Sequence, residues 1–190
     1  MVKKTAKPKI SFLIAAYNCE KIITSTIRSA VVACKLKNIK FEIIVVDDFS
    51  SDQTYQKLEE FKKRNKYLKI FKNKKNLGFA KSIHKAAKKA KGFKIKILHS
   101  SNIEHSSDIK NYIIKSCKYD FVLTNFIDKR TIFRKILSRF CSTCFSLVSG
   151  NHIRYFNSSV LCSRLNFLKF YPKGFKGNFF LSVIISKLLI

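Results

Sequence analysis

Short apolar runs alternate with amphipathic segments from Ile10 to Thr124, and this alternation constrains the fold more than any other feature of the chain. The run Ile10-Ser11-Phe12-Leu13-Ile14-Ala15 reads as a buried strand, after which Ile22, Ile23, Ile27, Ala30, Val31 and Cys34 recur at helical spacing. Residues 41–46 form a second apolar run that stops at the polar turn 47–52. Tyr55, Leu58 and Phe61 mark the next helix, and residues 68–71 a short strand after it. Phe79, Ile83, Ala86, Ala87 and Ala90 predict another helix, with Gly92 as its C-cap. Residues 95–98 predict a strand, followed by a polar loop over 99–107, a short helix around Ile109, Tyr112 and Ile113, and a strand over 121–124. Strands and helices in this order imply an α/β fold, a mostly parallel sheet with helices on both faces. Ligands bind such sheets outside the carboxyl ends of the strands. Residues 15–18, 47–52 and 99–108 are therefore expected to meet at one edge.

Beyond Thr124 the pattern changes. Residues 132–148 predict a helix that is apolar around much of its circumference, with Arg134, Lys135 and Arg139 near its start. It reads either as a core helix covering the sheet or as a helix lying on a membrane surface. Residues 152–156 predict a strand, and 158–167 and 178–189 predict helices. A chain of 190 residues with 46% hydrophobic content buries one substantial core, so residues 126–190 are expected to be a subdomain of the same single domain. Gly 5 and Pro 2 exclude collagen-like repeats and long flexible linkers.

Lys+Arg 39 against Asp+Glu 11 gives a net charge of +28, a field that attracts nucleotides, nucleic acids and anionic lipid surfaces. The charge is spread along the chain, and the aromatic residues fall mostly at predicted core positions. Nucleic acid is therefore not the expected partner. The cysteines Cys19, Cys34, Cys117, Cys141, Cys144 and Cys162 lack the spacing of a disulfide scaffold. Cys141 and Cys144 sit on an apolar stripe and read as packing rather than as half of a metal or redox site. His84, His99, His105 and His152 have no metal-ligand spacing, so no zinc is expected. The apolar run after the basic start is too short for a signal peptide, and none reaches the length of a membrane span. The expected location is the cytoplasm, with a peripheral position at the inner face of the membrane as its extension.

The turn 47–54 directly follows a strand, where a carboxylate suits hydrogen bonding to a base or ribose and Ser50 suits capping the next helix. An ordinary acidic turn at a helix start accounts for the same residues. Asn76-Leu77-Gly78 marks a turn into a helix.

Taken in order, these segments resemble the family 2 glycosyltransferases, and within them the dolichol-phosphate mannosyltransferase-like branch. Ile14-Ala15-Ala16-Tyr17-Asn18 is similar to the first-strand motif I-P-x-Y-N, and FEIIVVDDFSSDQT over 41–54 to E-I-I-V-V-D-D-G-S-x-D-G-T. Asn76-Leu77-Gly78-Phe79-Ala80 resembles the N-x-G segment, and Ala90 to Gly92 the A-x-G before the next strand. Arg134-Lys135-Ile136-Leu137-Ser138-Arg139 is similar to the branch's R-K-x-x-S-R helix, and residues 152–161 to its G-F-R-L-Y…V-L segment.

The resemblance implies a GT-A (Rossmann-like) fold, with a nucleotide-sugar-binding core over 8–125 and an acceptor-side subdomain over 126–190. It implies transfer of a sugar from a nucleotide-sugar donor to a polyprenyl phosphate, another lipid phosphate or a different cell-envelope acceptor. Ala15, Tyr17, Asn18, Val46, Asp48 and Ser100 fall at nucleotide-sugar-binding positions, and Arg154 on the acceptor or phosphate side. The family's Asp-x-Asp binds Mg²⁺ or Mn²⁺, hard cations that prefer oxygen ligands beside phosphate. Here Ser100 and Asn102 stand at the two aspartate positions, leaving Asn102 as the metal-position residue, with Glu104 and Asp108 the nearby carboxylates. Other departures are Cys19 with Glu20 one place late, Phe126 for an arginine and Ser182 for an acid. No catalytic residue is assigned. The alternative reading is a catalytically impaired relative that acts as a nucleotide- or anion-binding module.

Overall fold

The computed structural model describes residues 9–100, 104–124, 136, 139–140, 142–144, 146–147, 159–172 and 183–185. The predicted alternation is present as β1 (Ile10–Ala16), α1 (Ile23–Lys35), β2 (Phe41–Asp47), α2 (Thr54–Lys63), β3 (Leu68–Lys72), α3 (Phe79–Lys89), β4 (Lys94–His99), α4 (Ser106–Lys115) and β5 (Phe121–Thr124). A further strand, β6 (Ser159–Ser163), leads into α5 (Arg164–Phe170). The strands form one sheet in the order β3-β2-β1-β4-β6-β5. β1 pairs in parallel with β2 and β4, and β3 continues the parallel set. β6 runs antiparallel between β4 and β5.

Strand alternation divides the core into two layers. Phe12, Ile14, Ile43, Val45 and Leu98 pack with Ile23, Ile27, Ala30 and Cys34 of α1 and Ile109 and Ile113 of α4. The other face sets Leu13, Ala15, Ile44, Val46, Ile95 and Ile97 against Ala80, Ile83, Ala86 and Ala87 of α3 and Phe167 of α5. Each fully buried Ile, Leu, Val or Phe contributes about 1.5–3 kcal/mol. Continuous apolar strands are therefore possible only where helices cover both faces, as here.

Several expectations are corrected. Residues 158–167, predicted as one helix, divide into β6 and the start of α5, with Val160, Leu161 and Cys162 buried inside the sheet. Gly92 does not cap α3; the C-cap is Ala90, in extended conformation. Ser50 does not cap α2, whose N-cap position is Gln53; the Thr54 amide instead donates to Asp52 Oδ1 at 3.0 Å. In the apolar stretch after 131, the described residues 136, 139–140, 142–144 and 146–147 are helical. Ile136, Phe140 and Leu147 among them are exposed, so these side chains do not form the sheet's cover. Cys144 is exposed too, which removes the packing role expected for it. Among the described residues no helix is long and apolar enough to cross a membrane. Residues 152–156 and most of 178–189 lie outside the described residues.

Candidate nucleotide site at the carboxyl edge

The parallel register ends β1 and β2 together, with Ala16 opposite Asp47, so the loops leaving the two strands start side by side. They are laced to each other by hydrogen bonds. Asp48 N donates to Ala16 O at 2.8 Å, and Asn18 N to Ser50 Oγ at 3.1 Å. Ser51 N returns to Asn18 Oδ1 at 2.9 Å. Glu20 N donates to Asp52 Oδ2 at 3.1 Å, while Gln53 N donates to Glu20 Oε2 at 2.9 Å. Cys19 N donates to Thr54 Oγ1 at 2.8 Å. Asn18 takes a left-handed φ of 45°, which an Asn side chain tolerates because it bonds locally to the backbone. This exchange explains why Glu20, Asp52 and Ser50 are polar: each satisfies an amide that the turn leaves without a partner.

Ala15 and Val46 are buried, opposite each other in register, and form the floor behind this edge. Tyr17 stands out from it, 52% exposed. Asp48 follows Asp47 at the carboxyl end of β2. Its carboxylate is buried and accepts Asn73 Nδ2 at 2.7 Å, Leu77 N at 2.8 Å and Gly78 N at 2.8 Å. Asp48 thus fixes the turn into α3, where Gly78 supplies the φ of 84° that other residues avoid. Nothing in the sequence marks Asn73, because its partner lies in another loop. Asp47, one residue earlier, is fully buried; its backbone carbonyl accepts Asn73 N at 2.8 Å, while its carboxylate accepts no hydrogen bond from any described residue. Asp48→Asn keeps one acceptor oxygen but turns an amide against a backbone N–H. It is expected to cost about 1–2 kcal/mol in denaturant unfolding and to loosen the 76–78 turn.

β4 brings the third loop to the same edge. His99 lies opposite Ala15 and stacks on Phe79, ring centroids 5.3 Å apart. Burial, aided by the Lys96 charge, lowers its pKa to about 4, so its imidazole is neutral at physiological pH. Ser100 is held from the opposite side of the sheet, where Thr26 Oγ1 of α1 donates to its carbonyl at 3.2 Å. Burial pushes the neighbouring Cys19 thiol up, against opposing hydrogen bonds from Thr54 and Ser100, so this cysteine is a thiol rather than a thiolate. Asn102 and Arg154 lie outside the described residues.

Glu104, a nearby carboxylate in the sequence reading, is not open to a metal. Lys96, fully buried on β4, places its ammonium 3.0 Å from each of the two carboxylate oxygens and 5.0 Å from the ring centroid of Tyr112. Among the described residues no group of three or more His, Cys, Asp or Glu side chains is positioned for a metal ion. Ser100 offers only a neutral hydroxyl, and Glu104 is already neutralised by a lysine. The described donor set therefore does not fit the family's divalent cation.

Residues 11–100 match the profile of Glycosyl transferase family 2. That span holds β1 to β4 and the laced loops. An uncharacterized glycosyltransferase of Haemophilus influenzae is 42% identical over 77 residues, 40% of this chain and 23% of that protein. The Escherichia coli UDP-Glc:alpha-D-GlcNAc-diphosphoundecaprenol beta-1,3-glucosyltransferase WfaP is 36% identical over 104 residues, 55% of this chain and 39% of WfaP. The chain thus spans well under half the length of these curated relatives. Among solved structures, Staphylococcus aureus TarS 1-349 superposes with a TM-score of 0.64 at 23% identity, covering 94% of this chain and 54% of that one. The mannosyltransferase PcManGT from Pyrobaculum calidifontis, in complex with GDP-Man and Mn²⁺, gives 0.64 at 15% identity, covering 94% and 51%. These structures share the α/β, GT-A-like fold with this chain.

Proposed function

We propose that this chain carries the donor-binding part of a family 2 glycosyltransferase, which moves a sugar from a nucleotide sugar to a lipid-phosphate or other cell-envelope acceptor. The observation that carries the proposal is the laced carboxyl edge. Tyr17 and Asn18 project from it over a floor of Ala15 and Val46, and it lies wholly inside the span matching the family profile. In the reaction, an acceptor oxygen attacks the anomeric carbon, the bond from that carbon to the diphosphate oxygen breaks, and the nucleoside diphosphate leaves with the electron pair. A preorganised site must stabilise the charge that builds on the leaving group. With neutral Ser100 at the edge, that task falls to the excess of basic side chains, Lys+Arg 39 against Asp+Glu 11.

The acceptor side rests on less of the chain. WfaP carries diphosphoundecaprenol in its name, and the exposed Ile136, Phe140 and Leu147 beside exposed Arg139 suit an anionic membrane surface. On that basis the proposal extends to a polyprenyl-phosphate acceptor and a peripheral position at the cytoplasmic face of a membrane. The mannosyltransferase-like branch rests on residues 134–139 and 152–161 of the sequence.

A second reading, a nucleotide-binding module without turnover, is favoured by one specific observation: Glu104 is committed to Lys96 and Ser100 is neutral. Calorimetric titration with UDP and GDP, with Mn²⁺ and with EDTA, tests the shared part of both readings. Binding is expected in both buffers and with the same affinity. Loss of affinity in EDTA would show that a metal is held by residues outside the described set. Release of free sugar or transfer from a panel of nucleotide sugars then separates the enzyme from the module. The absence of any nucleotide binding removes both.

A further inference from the structure

Phe49 combines two properties that a bulky residue rarely combines. Its backbone is left-handed, with φ 68°, and the residue is 52% exposed. The left-handed region disfavours any side chain with a Cβ, most of all a large one. Nothing in the core is gained in exchange, since Phe49 belongs to neither core layer. The conformation is imposed by its neighbours: Asp48 is buried and bonded to Asn73, Leu77 and Gly78, and Ser50 Oγ accepts the Asn18 amide. Strain held in this way by a surrounding hydrogen-bonded frame is characteristic of residues positioned for a ligand.

The second exposed ring of this edge is Tyr17. Two hydrogen bonds bracket the pair: Asp48 N to Ala16 O lies just before both residues, and Asn18 N to Ser50 Oγ just after both. Tyr17 and Phe49 are therefore matching positions on two loops that leave the sheet side by side. Asn18, Ser50 and Ser51, which follow them, are polar and bonded to one another.

We infer that Phe49 is an aromatic platform for the nucleobase, working with Tyr17 so that the base is held by rings from two neighbouring loops. This rests on the nucleotide-binding reading above and adds the residue that captures the base. A flat, uncharged, π-bearing ring is the ligand chemistry that two exposed aromatic side chains recognise, and stacking tolerates any of the bases. The loop backbone is already held by the bonds between Asn18, Ser50 and Ser51, so little of its ordering cost is left for binding.

The test compares UDP, GDP and inorganic pyrophosphate as calorimetric probes against the unaltered chain and Phe49→Gly, Phe49→Leu and Phe49→Tyr. Glycine accepts the left-handed backbone, so Phe49→Gly is expected to melt no lower than the unaltered chain, which removes misfolding as an explanation. Loss of one base–aromatic stack is expected to weaken UDP and GDP binding by roughly 5- to 150-fold in the Gly and Leu variants. Phe49→Tyr keeps the stack and is expected to bind like the unaltered chain. Pyrophosphate, which has no base, is expected to bind all four proteins alike. Nucleotide affinity unchanged in both Phe49→Gly and Phe49→Leu overturns the assignment of Phe49 alone. An equal loss for pyrophosphate assigns Phe49 to loop geometry and likewise overturns it. Failure of the unaltered chain to bind UDP or GDP overturns the nucleotide reading together with this one.

Discussion

Glu104→Gln is expected to cost about 3 kcal/mol or more of stability at pH 7, a large effect for a change of one atom type. The reason is the company Glu104 keeps. Lys96 is fully buried in the centre of the sheet, and the Glu104 carboxylate lies 3.0 Å from its ammonium. Removing one partner of a buried pair leaves the other charge without compensation, typically a loss of about 3–5 kcal/mol. The pH dependence gives the prediction a second handle. Burial pulls the Lys96 pKa down from 10.5 to about 8, with Glu104 working in the opposite direction. Without Glu104 the folded-state pKa falls further, while the unfolded value stays ordinary. Between the two values the unfolded chain binds the extra proton, so stability rises with pH through that window. The window opens lower in the variant than in the unaltered chain. Its deficit should therefore narrow on going from pH 7 to pH 10, by about 1.4 kcal/mol for each unit of extra pKa depression that falls between pH 7 and the unaltered value of about 8. Urea unfolding at both pH values measures this. The double variant Lys96→Met with Glu104→Gln is expected to recover much of the loss, since it removes the stranded charge. A Glu104→Gln chain as stable as the unaltered one at both pH values would mean that the pair contributes nothing. Because Glu104 lies two residues before α4, the pair also ties the start of that helix to the centre of the sheet.

What was legible in the sequence follows from which forces are local. The strands β1 to β5 and the helices between them were readable because each carries its own period, apolar throughout where both faces are covered and apolar at every third or fourth position where one is. The parallel order alone then brought residues 15–18 and 47–52 together, and the hydrogen bonds between Asn18, Ser50 and Ser51 bear this out. β6 is not legible as a strand because Val160, Leu161 and Cys162 are a short apolar run without a period. Its identity as a strand comes from pairing with β4 and β5, remote in sequence. The same holds for single residues. Asp48 looks like an open acceptor in its motif, yet its oxygens are met by donors 25 to 30 residues away. Lys96 sits in an alternating strand, where a polar residue ordinarily marks a solvated face. That its face is covered by Glu104 and Tyr112 of a later loop and helix is a tertiary fact.

Gly92 is the other such residue, and Gly92→Ala is expected to lose about 3 kcal/mol or more. A Cβ there would lie 2.4 Å from Ser11 Oγ, 2.7 Å from Ser11 N and 2.9 Å from the Ile10 carbonyl carbon. Two of these are backbone atoms of the central strand β1, which cannot swing aside as a side chain would. The close approach serves a buried polar cluster. Gly92 N donates to Ser11 Oγ at 2.9 Å and Glu42 Oε1 at 3.2 Å, and Ser11 Oγ donates to Glu42 Oε1 at 2.7 Å. Lys91 N adds a bond to the same oxygen at 2.5 Å, and Lys69 Nζ donates to Oε2 at 2.6 Å. Burial works to raise the Glu42 pKa, but the bonds from Lys69, Ser11 and Lys91 outweigh it and hold the carboxylate below its usual range. Glu42 therefore adds stability above its unfolded pKa, which is lost as pH falls through the acid range. Backing Gly92 away to admit a methyl group would strand these donors around a buried carboxylate, adding a polar cost to the steric one. The cluster sits at the amino edge of the sheet, where β1, β2 and β4 begin, opposite to Tyr17. Folded Gly92→Ala protein is accordingly expected to bind UDP with unaltered affinity while its unfolding midpoint drops. A variant that kept its midpoint would show that the α3–β4 connection yields to the methyl group, and that the close approach is not needed for the cluster.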